Sequence, residues 1–283
     1  MKEKAAGLLK LTRPINSAIV GLAVIVGAFI ASATPDNLKL LLGFLTGFLL
    51  TAASMTINDF LDKGIDAINE PRRPIPSGAI SSPTALAYSI VLTLLGLTSA
   101  FLIGLVNFLV ALLLFAMAVA YNKKRKELSF LGNVMVGISV SASFVYGGLV
   151  VDKMPLLLVL FSLIALFVVT GREVTKGIAD IEGDRSKGVK TLAVLKGENF
   201  AVATSTLLYL SSIGLTSIPI LMNEVNLALY LPPILVTDCG LLYSFYPLLK
   251  RITKEKAKKA KREILIWMMV GLLAFLLGGI RSA

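Results

Sequence analysis

Residues 38–66 read LKLLLGFLTGFLLTAASMTINDFLDKGID, an apolar segment that ends in closely spaced carboxylates. The part from 38 to 58 has about the length that an α-helix needs to cross the hydrocarbon core of a bilayer. Its apolar residues would surround the helix instead of forming one stripe, which is typical of a helix in lipid. The stretch therefore predicts a membrane-spanning helix with charged residues at one end.

The same pattern recurs along the chain, which has 283 residues, is 56% hydrophobic and has a mean hydropathy of +0.83. In lipid the backbone polar groups must be satisfied within the segment, so apolar runs of this length form helices. We predict an all-α polytopic membrane protein with nine transmembrane helices in a single domain, residues 1–283. The predicted spans are 14–33, 38–58, 83–103, 107–122, 129–150, 155–175, 199–221, 226–249 and 263–281.

The first predicted span has two interpretations. Basic residues precede it and small residues, Ala31-Ser32-Ala33, end it, as in a signal peptide. Its apolar run, 15–33, is however longer than the hydrophobic region of a typical signal peptide. We therefore predict an uncleaved transmembrane helix.

The basic residues predict the orientation. Of the 28 lysines and arginines, all but Lys39, Lys153 and Arg281 precede the first span or lie in every second loop after it. Cytoplasmic loops carry the excess of Lys and Arg, so we predict a cytoplasmic N-terminus. The net charge of +11 then reflects topology and attraction to anionic membrane lipids, and we predict no nucleic-acid partner.

Two kinds of chemistry are excluded by composition. The chain has no histidine, which removes imidazole as a metal ligand or general base. Its one cysteine, Cys239, excludes an intramolecular disulfide.

About half of the 17 acidic residues lie in two segments, 59–70 and 173–184. Both segments follow spans that are predicted to run from the outside to the cytoplasm, so both lie at the cytoplasmic face. Asn58, Asp62 and Asp66 recur every fourth residue and would form one row on a helix. A second such row consists of Arg172, Lys176, Asp180 and Asp184. The two D-x-x-x-D segments suggest a weak internal repeat, spans 1–4 and spans 5–8, with span 9 as an addition.

Facing rows of carboxylates favour a metal site. Crowded carboxylates repel one another unless a cation neutralises them. Mg²⁺ prefers a few carboxylates together with phosphate oxygens and water, and nearby Arg and Lys suit the phosphates. The pattern predicts a Mg²⁺–diphosphate site that opens towards an apolar bundle, as a polyprenyl diphosphate would require. The alternative is a set of solvated loop acids that balance basic residues; two rows at one face favour the site.

These motifs resemble a known family. Asn58-Asp59-x-x-Asp62-x-x-x-Asp66, followed by RPIPSG at 73–78, and Lys176-x-x-x-Asp180-x-Glu182-Gly183-Asp184 are similar to the two signatures of the UbiA superfamily of intramembrane prenyltransferases. The resemblance implies that Mg²⁺ holds an allylic diphosphate between the motifs, that its C–O bond ionises, and that an acceptor captures the allylic cation.

The resemblance also implies residue roles. Asp62, Asp66, Asp180 and Asp184 would be catalytic and, with Asn58, would be the metal ligands. The implied substrate-binding residues are Arg13, Asn16, Asn58, Arg72, Arg73, Tyr121, Lys123, Lys126, Arg172 and Lys176. Asp59 lies about 100° round the helix from Asn58, so we expect it to hold basic residues of the loop instead.

The acceptor is indicated by Arg172-Glu173, where many members have Tyr-Ser or Tyr-Thr. The run R-E-x-x-K-x-x-x-D-x-E-G-D, with Thr12-Arg13-Pro14-x-Asn16 and Gly132-Asn133, resembles archaeal members that add a geranylgeranyl group to the glycerol hydroxyl of a lipid phosphate. An extra arginine suits that phosphate. An aromatic quinone precursor stays open as the alternative acceptor.

Two other classes of protein fit the sequence less well. An ion-coupled transporter would place its site near the bilayer midplane at broken helices, whereas these acids lie at helix ends. A CDP-alcohol transferase would need a D-G-x-x-A-R signature, which the chain lacks.

Several polar features have a structural and a functional interpretation. The basic runs 123–126 and 254–262 are interpreted mainly as orientation signals. Asp238, within a predicted span, is either a cavity wall or a structural partner. Asn133, Ser139 and Ser143 are either helix contacts or cavity lining.

Overall fold

The structure is a computed structural model that describes residues 2–32 and 34–279, with the backbone alone for residues 2, 3 and 123–127. The regular elements in these ranges are all α-helices, which confirms the predicted class. They are α1 Lys2–Leu11, α2 Pro14–Ala31, α3 Asn37–Leu61, α4 Lys63–Asn69, α5 Ser82–Ile103, α6 Leu105–Val150, α7 Leu156–Ala179, α8 Ile181–Ser186, α9 Leu192–Lys196, α10 Glu198–Leu215, α11 Ile218–Leu221, α12 Leu227–Lys250 and α13 Lys254–Gly278.

Eight segments of the described chain are long and apolar enough to cross a membrane. They are Pro14–Ala31, Asn37–Leu61, Ser82–Ile103, Leu105–Asn122, Leu128–Val150, Leu156–Ala179, Glu198–Leu221 and Leu227–Lys250. Each corresponds to one of the first eight predicted spans. The predicted span 263–281 is not among them, because the charged residues at the start of α13 leave too short an apolar segment, and residues 280 and 281 lie outside the described chain.

The helix α6 combines the fourth and fifth spans around a break. Ser129, at φ 43° and ψ −128°, leaves the helical conformation there. A Cβ on Gly132 would lie 2.6 Å from Cε2 of Tyr121, although these residues would be about 16 Å apart along one straight helix. The second half of α6 therefore folds back beside the end of the first.

Local signals set several helix starts. Pro14 and Pro83 lie in the first turns of α2 and α5, where a missing N–H costs little, and Pro155 immediately precedes α7. The Asp36 side chain caps α3 by accepting a hydrogen bond of 2.8 Å from the backbone N–H of Lys39.

The central helices are α2 and α7. The helix α2 packs against α3, α6, α7 and α13, and α7 packs against α6, α10 and α13. The short helices α4 and α8, which follow α3 and α7, pack against each other. This arrangement brings the two acidic segments to one end of the bundle. The internal repeat stays a prediction.

Close packing of α12 on α13 explains the single tryptophan. A Cβ on Gly240 would lie 2.3 Å from the Trp267 ring, so the glycine admits the indole. The indole Nε1 donates a hydrogen bond of 2.9 Å to Ser244 Oγ. Trp267 therefore joins α13 to α12.

Candidate active site

The two acidic segments begin at equivalent points of the fold. Asp62 ends α3 and begins α4, and Asp180 ends α7 and begins α8. Both backbones are slightly unwound there, with φ/ψ of −89°/7° at Asp62 and −106°/8° at Asp180. The predicted rows therefore each pass through a junction between two helices. The i to i+4 hydrogen bonds continue across the first junction, from Asp66 N to Asp62 O at 2.8 Å, so the row is kept.

A single amide joins the two segments. Asn69 Nδ2 donates to the backbone O of Asp180 at 3.1 Å, and Asn69 Oδ1 accepts from the backbone N–H of Gly183 at 3.2 Å. A Cβ on Gly183 would lie 2.4 Å from Asn69 Nδ2, so only a glycine allows this approach. The sequence did not predict a role for Asn69, because its spacing from the motif residues does not distinguish it from other amide residues in the loops.

The four predicted catalytic aspartates are all buried. Asp62 is 6% exposed, Asp66 and Asp180 are each 5% exposed, and Asp184 is fully buried. In the first motif, the charges of Asp59 and Asp62 lie close enough to Asp66 to raise the pKa of its carboxyl. Such a concentration of buried acid requires nearby cations.

Two arginines supply much of the positive charge that the buried aspartates require. Arg73 Nη1 lies 2.6 Å from Asp66 Oδ2 and 3.2 Å from Asp59 Oδ1. Arg13 forms a second ion pair with Asp59. Asp59 thus holds basic residues, as its position on the helix suggested. Arg72, in contrast, is exposed and is not part of the cavity wall described below.

The side-chain amides of Asn58 and Asn122 form a hydrogen-bonded cluster beside the first acidic row. Asn58 Nδ2 donates to Asp62 Oδ2 at 3.0 Å and to Asn122 Oδ1 at 3.4 Å. Asn122 Nδ2 donates in turn to the backbone O of Ser54 at 3.2 Å. The end of the first half of α6 is therefore tied to α3 beside the first motif.

A cavity of about 470 Å³ runs from these motifs into the bundle. Its charged end has Arg13, Asn58, Glu70, Arg73, Arg172, Glu173, Lys176, Lys261 and Arg262. Its body is mainly apolar, with Val20, Val24, Leu50, Met55, Ala111, Leu114, Phe115, Ala118, Val136 and Val140. Asn58 and Thr46, both on α3, line the cavity, and the usual helical rise separates them by about 18 Å along the helix axis. The shape fits an amphiphile with an anionic head and a hydrocarbon tail.

Seven of the ten predicted substrate-binding residues line this cavity: Arg13, Asn16, Asn58, Arg73, Tyr121, Arg172 and Lys176. The side chains of Lys123 and Lys126 lie outside the described residues. Ser139 and Ser143 also line the cavity, whereas Asn133 lines a small pocket of about 20 Å³ beside it. The aspartates lie behind the charged end, with Arg73 between Asp66 and the cavity.

The basic run of α13 contributes more than its interpretation as an orientation signal suggested. Lys261 lines the cavity, and its Nζ lies 3.7 Å from Asp180 Oδ1 and 3.7 Å from Glu70 Oε1. The buried residues Ala257, Ala260 and Ile264 mark the packed face of α13. Alanines among lysines at helical spacing were the signal that could have placed Lys261 at its edge.

Burial and charge shift three pKa values at this end. Burial raises the pKa of Asp66 to about 6, which the Arg73 guanidinium only partly offsets. Burial lowers the pKa of Arg73, but Asp59 and Asp66 outweigh this and raise it above its ordinary value. Burial lowers the pKa of Lys261, opposed by Asp180. These buried charges depend on one another for neutralisation.

The carboxylate oxygens of the two motifs fit a Mg²⁺ ion whose coordination oxygens of the substrate would complete. Asp180 Oδ1 is buried and accepts no hydrogen bond from the described residues. Within the described chain, however, no three acidic, histidine or cysteine side chains already converge as a metal-binding group. Mg²⁺ commonly uses one or two carboxylates together with phosphate and water, so these carboxylates suit an ion that arrives with a diphosphate.

Asp238 lies apart from this site. It is 8% exposed and lines a second cavity of about 60 Å³, and its Oδ2 accepts a hydrogen bond of 2.9 Å from Thr216. Both interpretations from the sequence therefore apply, since Asp238 is a cavity wall and a structural partner of α10's end.

A multi-helix membrane bundle with two acidic motifs beside a deep apolar cavity defines an intramembrane enzyme that acts on amphiphilic substrates. The chain belongs to the UbiA prenyltransferase family, whose profile matches residues 20–277. This confirms the family and the enzyme class that the motifs predicted. The protein is a multi-pass membrane prenyltransferase.

Relatives with assigned functions match nearly the whole chain. The digeranylgeranylglyceryl phosphate synthase of Thermococcus kodakarensis is 34% identical over 96% of this chain and 97% of its own. That of Archaeoglobus fulgidus is 33% identical over 98% and 97%, respectively.

Two solved structures are similar to this protein in fold. One from work on digeranylgeranylglyceryl phosphate synthase in membranes has a TM-score of 0.74 at 32% identity, over 99% of this chain and 100% of that one. A UbiA homologue from Archaeoglobus fulgidus bound to GPP and Mg²⁺ has a TM-score of 0.71 over 95% and 99%. At 20% identity, the latter likeness concerns the fold.

Proposed function

We propose that the protein transfers a geranylgeranyl group from geranylgeranyl diphosphate to the glycerol hydroxyl of geranylgeranylglyceryl phosphate. The observation that carries this proposal is the 34% identity, over 96% of the chain, to a digeranylgeranylglyceryl phosphate synthase. The site supports it, since Arg172 offers a further cation where the substrate would bring a second phosphate.

The cavity suits the prenyl donor. Its apolar body, of which Leu50, Phe115 and Val140 are part, would hold the hydrocarbon chain. Its charged end would hold the diphosphate, with Arg73 and Lys176 as phosphate-binding side chains. Apolar walls would also keep water from the allylic cation that forms when the diphosphate leaves.

The proposed metal ligands are Asn58, Asp62, Asp66, Asp180 and Asp184. A bound Mg²⁺ would neutralise charge on the departing diphosphate. The chain's own contribution is to hold the ligands together: Asn69 joins the segments of Asp66 and Asp180, and Asn58 hydrogen-bonds Asp62. The Mg²⁺ bound by the Archaeoglobus homologue supports the identity of the ion.

The proposed reaction breaks one C–O bond and forms another. The C–O bond between C1 of the prenyl chain and the diphosphate breaks, and its electron pair leaves with the diphosphate. The acceptor's hydroxyl oxygen forms the new C–O bond to C1, and its proton passes to the released diphosphate, which carries the electron pair of the broken bond. Arg73 and Lys176 would stabilise the negative charge on the leaving group, where preorganised cations have their largest effect.

For topology, we propose nine spans with a cytoplasmic N-terminus and a cytoplasmic active site. The apolar part of α13 would be the ninth span. Lys39 and Asp152 form an ion pair of 3.5 Å between the start of α3 and the end of α6, which agrees with these loops sharing the outer face. Cysteines introduced at Lys39 and Lys190, in a Cys239→Ser background, should react with an impermeant thiol reagent from opposite sides.

The function is tested with radiolabelled geranylgeranyl diphosphate and the purified protein in lipid. We expect a labelled two-chain ether with the lipid phosphate acceptor, in a Mg²⁺-dependent reaction. Asp62→Ala and Asp180→Ala should abolish diphosphate release while the protein still inserts, and Glu198→Ala, on an exposed helix start, should remain active. Product from an aromatic acid alone would overturn the assigned acceptor.

A further inference from the structure

Lys261 reaches the charged end of the cavity from a helix that carries neither acidic motif. Its Nζ lies 3.7 Å from Asp180, in the second motif, and 3.7 Å from Glu70, which follows the first. Its side chain is 14% exposed. A lysine so enclosed loses much of its hydration, so this position requires anionic partners.

Lys261 belongs to a group of cations at the contact between α7 and α13. Arg172 Nε donates a hydrogen bond of 3.1 Å to the backbone O of Lys261, which fixes the two residues side by side. Both residues line the cavity, as does Arg262. Arg73, in contrast, is bonded to Asp59 and Asp66 on the first motif.

Charge considerations indicate what this group binds. Once Asp180 holds a divalent ion, that ion and the Lys261 ammonium repel each other at short range. Among the described residues, Lys261 then keeps its ion pair with Glu70, which also pairs with Lys258 at 3.8 Å. The diphosphate already has Arg73 and Lys176 from the motif segments. In the proposed reaction one anionic group then has no cationic side chain assigned to it, namely the phosphate of the lipid acceptor.

We propose that Lys261 and Arg172 form the subsite for the acceptor's phosphate, a phosphomonoester on a glycerol ether. The inference rests on the proposed function. The ammonium and guanidinium supply charge-assisted hydrogen bonds to phosphate oxygens. The Glu70 carboxylate does not prevent this, because Lys258 partly neutralises it. In the absence of acceptor, Glu70 and Asp180 hold Lys261 at the cavity.

Steady-state kinetics of Lys261→Ala test the subsite. We expect the KM for the lipid phosphate to rise roughly tenfold or more, since a charge-assisted bond is lost, while the KM for geranylgeranyl diphosphate stays within about twofold. Lys259→Ala is the matched control, because it also removes a lysine of α13 and its ion pair, here with Glu263, but is exposed and is not part of the cavity wall. It should leave both KM values within about twofold. Lys261→Arg should recover most of the affinity for the acceptor.

A second acceptor separates phosphate binding from a structural role. With geranylgeranylglycerol, which lacks the phosphate, wild type and Lys261→Ala should have the same KM. The proposal is overturned if Lys261→Ala raises the KM for both substrates equally, or leaves the KM for the lipid phosphate unchanged. Wild-type protein that cannot use the lipid phosphate at all would instead refute the proposed function, and the subsite with it. Thermal unfolding of each variant confirms that folded protein is compared.

Discussion

Asn69 and Asp180, on segments far apart in the chain, are joined by a hydrogen bond of 3.1 Å from the amide Nδ2 to the backbone oxygen. The other amide atom, Oδ1, accepts from the backbone N–H of Gly183. The Asn69 side chain thus links α4 directly to α8, and with them the two acidic motifs.

Removing this link should disconnect the motifs. In Asn69→Ala the Gly183 N–H loses its buried partner, which typically costs about 1–3 kcal/mol, whereas the Asp180 oxygen still accepts from the backbone N–H of Asp184. We expect a lower unfolding temperature in detergent and a prenyl transfer rate at least tenfold lower. Asn199→Ala, on an exposed part of α10, is the control and should match wild type. Unchanged turnover in Asn69→Ala would show that the motifs are held by other contacts.

Gly183 should tolerate no side chain. A methyl group there would lie 2.4 Å from Asn69 Nδ2, so Gly183→Ala must push α8 away from α4. We expect severe loss of activity, measured as diphosphate release. Gly177→Ala is the matched control on α7, because its Cβ would meet Thr191 at an ordinary distance of 3.6 Å. That substitution should be neutral or slightly stabilising, since alanine favours a helix over glycine.

The neighbouring arginines should differ sharply. Arg73 bonds to Asp59 and Asp66 and lines the cavity, whereas Arg72 is exposed. Arg73→Ala removes the ion pair of the buried Asp66 carboxylate, whereas Asp59 keeps Arg13, and it also removes a phosphate-binding group, so we expect at least a hundredfold loss of kcat/KM. Arg72→Ala should change kcat/KM by less than about threefold. Equal losses in both variants would contradict the assignment.

The raised pKa of Asp66 makes a prediction about pH. Its carboxyl titrates at about 6 in the folded protein and near 3.8 when unfolded. Asp66 therefore favours the folded state below pH 3.8, and this contribution is lost as the pH rises through about 6. We expect metal-free wild type to lose stability relative to Asp66→Asn over this window, as measured by thermal unfolding. Parallel pH profiles for the two proteins would contradict the prediction.

Much of the site was accessible from the sequence. The four-residue spacing of Asn58, Asp62 and Asp66 predicted a row that the structure keeps, because α3 and α4 continue one hydrogen-bond ladder. Asp59, about 100° round the helix from Asn58, was predicted to hold basic residues of the loop, and it pairs with Arg73 there; its pairing with Arg13 was not predicted. The interpretation of Lys261 as an orientation signal was incomplete, because charge alone does not distinguish a lysine in solvent from one at a cavity.

Hydrophobic length and helical periodicity are local properties, so the sequence alone established the helical class, eight of the spans and both acidic motifs. Which side chains meet between those motifs depends on packing. Asn69 reaches Asp180 only because α4 lies on α8, and Lys261 reaches the cavity only because α13 lies on α7. Such contacts join distant segments through the shape of the whole bundle, whereas spacing along one helix shows at most which face is packed and not which residues that face meets.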